Sequence, residues 1–485
     1  MNFWTDAAVH AALGVGGHAA DVSYTSVSTD SRTIPDGGLF VALVGARFNG
    51  HDYLAEVAQK GARGAVVSTL ASDRPHGLVY YLVEDTLEAL GQLGRYRRRQ
   101  LDARVCAVTG SNGKTTTKEM LRALLGTRYR VHATSGNLNN RIGTPLTLLA
   151  APDDAEALVI ELGTSLPGEI AQLGDIVEPD AAVVTAISEE HLEGLGDLLG
   201  VLQEETSILN SLRPGGFAVV ADEPAELAEH ARSLVSHPER VKVAGWTERA
   251  DADLRAADVQ LDERGDVRFR WQQAEVYVPL RGRHNVRNAL IALGVARAWG
   301  VDLAQATAVL TTLKPAKMRN ELHEFGQLTV IADCYNSNPA SLASAIDLLE
   351  SMPHKRRRVA IVGSMLELGP TSAALHQRAA QQIADARIDL VVATGEFVAA
   401  FATLREEMGS RLILSPDPLE AWDALGPRLR GEEVVLLKGS RGVALERLLP
   451  RLEEHGQTPP TVPGAGSATA SRSSRTTPQA ERSRE

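Results

Sequence analysis

Residues 104–116 place a lysine and several hydroxyls at a spacing that suits phosphate. Val105–Val108 is short and apolar, as a buried strand is, and Gly110 and Gly113 allow a tight turn. Lys114, Thr115 and Thr116 then open a segment whose apolar residues Met120, Leu121, Leu124 and Leu125 recur at helical spacing. A strand, a Gly-rich turn and a helix start together leave backbone N–H groups unpaired at the positive end of a helix dipole, which favours an anion. The spacing Gly-x-x-Gly-Lys-Thr makes Gly110, Ser111, Asn112 and Gly113 the cradle and puts Thr116 in the first helical turn. Lys114 would reach the β- and γ-phosphates, and the Thr115 hydroxyl would bind Mg²⁺. Position 108 is Val where the longer phosphate-loop pattern has Gly. An ordinary strand-to-helix turn is the plain alternative, and the Lys-Thr-Thr run weighs against it.

Other residues could complete such a site. Leu158–Leu162 reads as a buried strand ending in a single acid, Glu161, where phosphate-loop enzymes hold Mg²⁺. His191 stands one short loop beyond the next apolar strand, Ala181–Thr185, and is a second candidate metal ligand. Asn137, Asn139 and Asn140 crowd one loop with Thr134 and suit hydrogen bonds to a polar substrate, although a capped loop would use the same residues. Asp333 ends a later strand. The polar loop Tyr335, Asn336 and Asn338 follows it and leads to a helix opened by Pro339. Lys438, Ser440 and Arg441 close the last strand. Ser28, Asp30, Ser31 and Arg32 form a polar loop near the start, equally readable as a turn with local side-chain bonds. Glu169 is expected to face solvent at a helix start.

Strands alternating with helices predict an α/β chain with parallel sheets. We expect three domains: a small N-terminal α/β domain over 1–85, a central phosphate-loop ATPase domain with a parallel sheet over 86–312, and a C-terminal doubly wound, Rossmann-like domain over 313–455. The central domain should carry an antiparallel pair, Val267–Trp271 with Val276–Val278, followed by a helix over Ala289–Trp299. Residues 456–485 lack a hydrophobic pattern and are expected to be disordered.

Bulk composition narrows the class. The chain has 485 residues, 44% hydrophobic and 23% charged, as expected of several globular domains. A net charge of −11 argues against a nucleic-acid partner. The basic runs Arg95–Arg99 and Lys355–Arg358 read as solvated faces. Two cysteines without paired spacing argue against a disulfide framework or zinc, and no signal peptide or membrane span is discernible. A cytoplasmic protein without membrane insertion is expected, and a monomer is plausible.

Together these segments resemble the Mur ligase family across about residues 23–450. The resemblance rests on Ser28–Arg32, Thr109–Thr116, Gly136–Thr147, Val159–Gly163, His191–Gly194, Gly282–Asn288, Asp333–Pro339, Met365–Gly369 and Lys438–Arg441. It points to the branch that joins D-alanyl-D-alanine to UDP-N-acetylmuramoyl-tripeptide with ATP and Mg²⁺. It implies that the first domain holds the UDP end through Ser28–Arg32 and Phe48–His51, the second holds ATP, and the third closes with the dipeptide. Arg319 would touch the γ-phosphate, and Asn285 and Asp333 would contact adenine and ribose. Many family members carry a carbamylated lysine on the helix after the His191 loop. Here no lysine lies between Lys118 and Lys242, and Glu205 occupies the matching position. We expect Glu205 to supply that anion to the metal, directly or through a water because it is shorter, unless it and Glu204 are solvated helix residues and other groups hold the metal. Ser364 stands where the branch usually has Asp. A sister ligase of the family, or a non-catalytic relative that binds the nucleotide-sugar peptide, remains the alternative. Dependence of phosphate release on the dipeptide separates these readings.

Overall fold

The computed structural model describes residues 4–16, 21–246, 252–352 and 356–457. The expected disordered tail, 456–485, therefore lies outside the described residues except for Gly456 and Gln457. Those two end a helix, Leu449–Gln457, where disorder was expected.

Three sheets organise the chain. The first is four-stranded and parallel: β1 (Val27–Ser28), β2 (Leu39–Val41), β3 (Gly64–Val67) and β4 (Val79–Leu82), in that order. Helix α1 (Thr86–Gln100) leaves it for the central unit, its start capped by the Asp85 carboxylate on the Leu87 and Glu88 N–H groups.

The central sheet has nine strands. Its parallel part comprises β5 (Arg104–Thr109), β6 (Val131–Ala133), β7 (Ala157–Glu161), β8 (Ala181–Val184), β9 (Phe217–Ala221) and β10 (Val241–Gly245). Helices α2 (Lys114–Leu125), α3 (Gly143–Leu149), α4 (Glu169–Val177) and α5 (Leu198–Thr206) lie between these strands. Residues 105–108, 158–160 and 181–184 are fully buried, as strands covered on both faces require. β5 lies between β7 and β8. The register pairs Val108 with Glu161 and Thr109 with Val184, so the ends of three strands meet where the turn after β5 begins. The expected antiparallel pair is present as β12 (Asp266–Trp271) and β13 (Ala274–Arg281), and β11 (Leu254–Leu261) joins it to the parallel part.

Helix α6 runs His284–Ala298, starting before the expected Ala289. His284, Asn285 and Asn288 are thus inside the helix. The Asn285 amide donates to the Arg281 carbonyl at 2.8 Å and the Asn288 amide to the Asn285 side chain at 3.0 Å, so neither serves as a cap.

The third sheet has six strands in the order β14-β15-β19-β16-β17-β18, with only β14 antiparallel. These are β14 (Glu321–Phe325), β15 (Leu328–Asp333), β16 (Arg358–Val362), β17 (Leu390–Ala393), β18 (Leu412–Leu414) and β19 (Val434–Lys438). Helix α7 (Pro339–Ser351) follows β15 and α8 (Ser372–Asp385) follows β16. No described helix is long and apolar enough to cross a membrane.

The two basic runs are solvated only in part: Arg95 and Arg99 are exposed, and Lys355 lies outside the described residues. Arg97 and Arg98 are buried. Arg97 donates to the Ala151 carbonyl at 2.6 Å, and Arg98 to the Val177 carbonyl at 2.9 Å and the Asp180 carboxylate at 3.0 Å. They pin α1 to the central unit. Arg356 donates to the Thr329 hydroxyl at 2.7 Å and the Glu433 carbonyl at 2.9 Å, and Arg358 is buried with its guanidinium on the Met352 carbonyl at 2.8 Å. Carbonyls brought in by distant segments satisfy these guanidinium groups, and local composition does not reveal them.

Candidate active site

The turn between β5 and α2 is held open by what surrounds it. Gly110 has φ 121° and Gly113 φ 90°, a region that favours glycine. A Cβ on Gly110 would lie 2.5 Å from the Thr185 hydroxyl, and one on Gly113 would lie 2.4 Å from the Asn288 side chain. The Ser111 N–H donates to the Ala186 carbonyl at 2.7 Å and the Thr185 hydroxyl to the Asn112 carbonyl at 2.6 Å, which fastens the loop to the end of β8. No side chain caps the start of α2 at Gly113. Its first N–H groups are left to a ligand, the arrangement that binds phosphate.

Lys114 folds back onto the Gly110 carbonyl, with its ammonium 3.5 Å from Glu190. Burial works against its charge, but Glu190, Glu205 and Glu161 outweigh that and raise its pKa. Glu161 is 3% exposed. One of its oxygens accepts from the Thr115 hydroxyl at 3.2 Å and the Asn139 amide at 3.1 Å. The other, Oε2, is buried without a hydrogen bond and lies 3.8 Å from the Lys118 ammonium.

A cavity of 590 Å³ opens here between the central and third units. Of the residues singled out from the sequence, Ser111, Asn112, Gly113, Lys114, Thr116, Asn139, Asn140, Glu161, His191, Asn285, Arg319, Asp333, Tyr335, Asn336 and Lys438 line it. Arg319 stacks over the Tyr335 ring, 4.4 Å from its centroid. Asp333 pairs with the buried Lys438 ammonium at 2.9 Å and accepts from the Asn320 N–H at 3.2 Å. His191, at φ 52°, bonds through Nδ1 to the Glu367 carboxylate of the third unit. Glu367 is also left-handed, at φ 64°.

Several expected residues lie elsewhere. Glu205 is 1% exposed and sits beneath the loop, off the cavity wall. One carboxylate oxygen accepts from the Thr109 hydroxyl and from the Gly110 N–H at 2.9 Å. Burial raises its pKa, Lys114 opposes this, and Glu190 adds to it. Glu205 thus braces the turn and is not a solvated helix residue: helix α5 runs behind the loop and presents this acid to the loop's backbone. Gly110 and Thr115 also lie off the wall. Asn137 is exposed on its loop. Asn338 caps α7, accepting from the Ser341 N–H at 2.8 Å while the Ser341 hydroxyl accepts from the Asn338 N–H at 3.0 Å. Ser440 accepts from the Leu366 N–H at 3.0 Å, and Arg441 pairs with Glu446 at 2.8 Å. Ser28, Asp30, Ser31 and Arg32 are in the first unit. Arg32 donates to both oxygens of Asp30, at 2.9 and 2.8 Å, and holds that carboxyl down to about 2. The local turn foreseen as the alternative is therefore present. Glu169, expected in solvent, is instead on the cavity wall, where it accepts from the Ser165 N–H at 2.8 Å and the Leu166 N–H at 3.0 Å. Ser364 is buried and accepts from the Glu396 N–H at 2.9 Å; its hydroxyl would meet a Cβ on Gly395 at 2.2 Å.

Glu190, to which sequence reasoning assigned no role, is on the cavity wall, as are Glu367 and His284, which were noted only within the segments Met365–Gly369 and Gly282–Asn288. Glu190 is 4% exposed. The pair Glu189-Glu190 directly before His191 was the available signal. His284 is half-buried with its Nδ1 inaccessible and unbonded, and desolvation pushes its pKa down to about 4.

The third unit closes on the loop directly. The Asn112 and Asn338 side-chain amides bond each other reciprocally at 3.2 and 3.1 Å, and Arg378 pairs with Glu189 at 2.7 Å.

Comparison with known proteins adds the following. The model "Mur ligase family, catalytic domain" matches residues 23–98, "Mur ligase middle domain" residues 108–296, and "Mur ligase, glutamate ligase domain" residues 318–441. The UDP-N-acetylmuramoyl-tripeptide--D-alanyl-D-alanine ligase of Bacillus subtilis is 35% identical, over 88% of this chain and 93% of its own. Its counterpart from Escherichia coli is 34% identical, over 90% and 95%. A crystal structure of MurF from Acinetobacter baumannii superposes with a TM-score of 0.84 at 31% identity, covering 93% of this chain and 99% of that one. MurF ligase from Thermotoga maritima in complex with ADP gives 0.77 at 28%, covering 89% and 98%.

Proposed function

This chain belongs to the Mur ligase family, and from that premise we propose that it joins D-alanyl-D-alanine to UDP-N-acetylmuramoyl-tripeptide at the expense of ATP. The observation that carries this reading is the single cavity in which an uncapped phosphate loop with Lys114 faces Arg319 and Asp333 of the third unit.

The tripeptide carboxylate attacks the γ-phosphorus of ATP. ADP leaves, and an acyl phosphate forms. The dipeptide amine, having lost a proton, then attacks the acyl carbon. The tetrahedral intermediate collapses to the amide and inorganic phosphate. In the first step two anions approach each other, so fixed cations must offset both. Lys114 turns from the Gly110 carbonyl to the phosphates, joined by the N–H groups at the start of α2. Arg319, braced on Tyr335, meets the γ-phosphate from across the gap. Asn285 and Asp333 face the adenosine end.

The residues present fit Mg²⁺: Glu161 keeps a buried oxygen without a hydrogen bond, and the Thr115 hydroxyl stands beside it. Glu161 and Thr115 would hold the ion, with His191 once it is released from Glu367, and the ion would neutralise phosphate charge. Closure of the third unit excludes water and protects the acyl phosphate. In this reading Ser28–Arg32 and Phe48–His51 hold the UDP end in a domain over 1–85. Tyr335, Asn336 and Lys438 face the dipeptide in a domain over 313–455, and the ATP-binding domain spans 86–312. The protein works as a cytoplasmic monomer. Cys106 and Cys334 are both free and buried, which suits a reducing compartment.

The test is phosphate release from ATP with Mg²⁺ and the UDP-tripeptide, with and without D-alanyl-D-alanine, alongside mass detection of the product. Release that requires the dipeptide and yields the UDP-pentapeptide mass is expected. Release indifferent to the dipeptide but stimulated by a single amino acid would replace this reading with a sister ligase.

A further inference from the structure

The buried acids around the phosphate loop fall into two kinds. Glu204 accepts from the Gly168 N–H at 2.6 Å and the Ile170 N–H at 2.7 Å, and Glu205 is committed to the loop backbone. Glu204 is bonded through both oxygens, and Glu205 gives one oxygen to two donors of the loop. Glu161 and Glu190 differ. Each is nearly inaccessible, each lines the cavity, and each keeps one buried oxygen, Oε2 and Oε1 respectively, without a hydrogen bond. They stand on opposite flanks of the loop, one ending β7 and the other following β8. The remaining oxygen of Glu190 has only a long contact, 3.4 Å from the Asn338 amide.

A buried carboxylate with so few donors needs a cation. Here that cation is Lys114, 3.5 Å away. Lys114 is also the residue that a nucleotide's phosphates would take. Once it turns to them, Glu190, only 4% exposed, is left facing an anion. That arrangement is unfavourable unless positive charge lies between the two. Magnesium suits such a place, because it binds through one or two carboxylates together with phosphate oxygens and water.

We propose that Glu190 is the second carboxylate for divalent metal in this site, holding a Mg²⁺ against the nucleotide's terminal phosphate on the flank opposite Glu161. The assignment rests on the reading that the loop binds ATP. It gives Lys114 and the metal alternating occupancy beside Glu190, the ammonium in the empty site and the ion in the loaded one.

Mn²⁺ titration followed by electron paramagnetic resonance, with a non-hydrolysable ATP analogue, tests this. The wild-type chain is expected to take up two Mn²⁺ per bound nucleotide. Glu190→Gln is expected to lose one of them or to bind it at least roughly tenfold more weakly. Glu190→Asp, which keeps the charge on a shorter arm, should recover part of that affinity. Glu189→Gln, off the cavity wall, should match wild type. Circular dichroism and thermal unfolding establish that each variant is folded. Wild-type stoichiometry and affinity in a folded Glu190→Gln would overturn the proposal and leave the ATP reading intact. If that variant instead binds the analogue differently without metal while its Mn²⁺ count is unchanged, Glu190 is a counter-ion for Lys114 alone, and the proposal again fails. Absence of any analogue binding by the wild-type chain would overturn both the proposal and the reading on which it rests.

Discussion

The turn after β5 and the turn after β15 both leave a buried parallel strand, pass through polar residues and enter a helix. After β15 the helix start is closed by its own side chains: Asn338 and Ser341 cap each other reciprocally, and Pro339 removes a donor from the first turn. The strand-end acid there, Asp333, is paired with Lys438. After β5 no side chain caps Gly113, and the neighbouring strand-end acid, Glu161, keeps one oxygen without a hydrogen bond, with the Lys118 ammonium no nearer than 3.8 Å. The same architecture thus yields a finished joint in one place and an open anion site in the other. The difference lies in which residue occupies the cap and what pairs with the acid.

Substitutions on either side can break that contrast. Removing the cation from the open turn should have the largest effect: Lys114→Ala is expected to lower dipeptide-dependent phosphate release on the order of 1000-fold or more. A rate near wild type would mean that the open turn is no more functional than the closed one. Next comes the brace beneath it. Glu205→Ala leaves the Gly110 N–H and the Thr109 hydroxyl buried without their acceptor. This should cost about 1–3 kcal/mol in urea unfolding, and would show that the open turn is held by structure from behind. On the closed turn, Asn338→Ala should cost more than the roughly 1 kcal/mol of a cap alone in urea unfolding, because it also removes the amide pair with Asn112.

A further effect appears only below neutral pH. His284 is held neutral in the fold, pushed down to about 4 by burial, against about 6.5 in the unfolded chain. Between these values the unfolded state binds more protons, so stability falls as pH drops from about 6.5 towards 4. His284→Gln should flatten that part of a melting-temperature profile, and an unchanged slope would assign it to other groups.

What could be read in the sequence follows from how locally each feature is encoded. The phosphate loop, Glu161 and Asp333 were legible because a strand, a turn and a helix start are neighbours in the chain. The parallel sheets were legible from apolar runs such as Val105–Val108. Glu190 was not, because the pair Glu189-Glu190 has the composition of a solvated loop and only burial distinguishes its second member. Glu205 was placed on its helix, but its bonds to the Thr109 hydroxyl and the Gly110 N–H were not foreseen. Helical spacing orients a residue within its own element and says nothing of which loop will lie over it. Arg97 and Arg98 misled for a related reason: their partners are carbonyls and acids brought from 151–180, and a run of arginines looks the same whether those partners arrive or not. The start of α6 was missed because asparagines at its first turns look like caps when they in fact bond within the helix.

The contact between Asn112 and Asn338 joins the phosphate loop to the cap of α7 by two neutral amides. Close by, Arg378 and Glu189 make an exposed ion pair across the same gap. The two respond differently to ionic strength. Screening over about 8 Å at 0.15 M salt weakens an exposed pair, whereas an amide pair carries no net charge to screen. Rising salt should therefore loosen the rim of the cleft and spare its floor, so that the grip of the third unit on the loop holds across ionic strengths at which the surface ion pair has ceased to contribute.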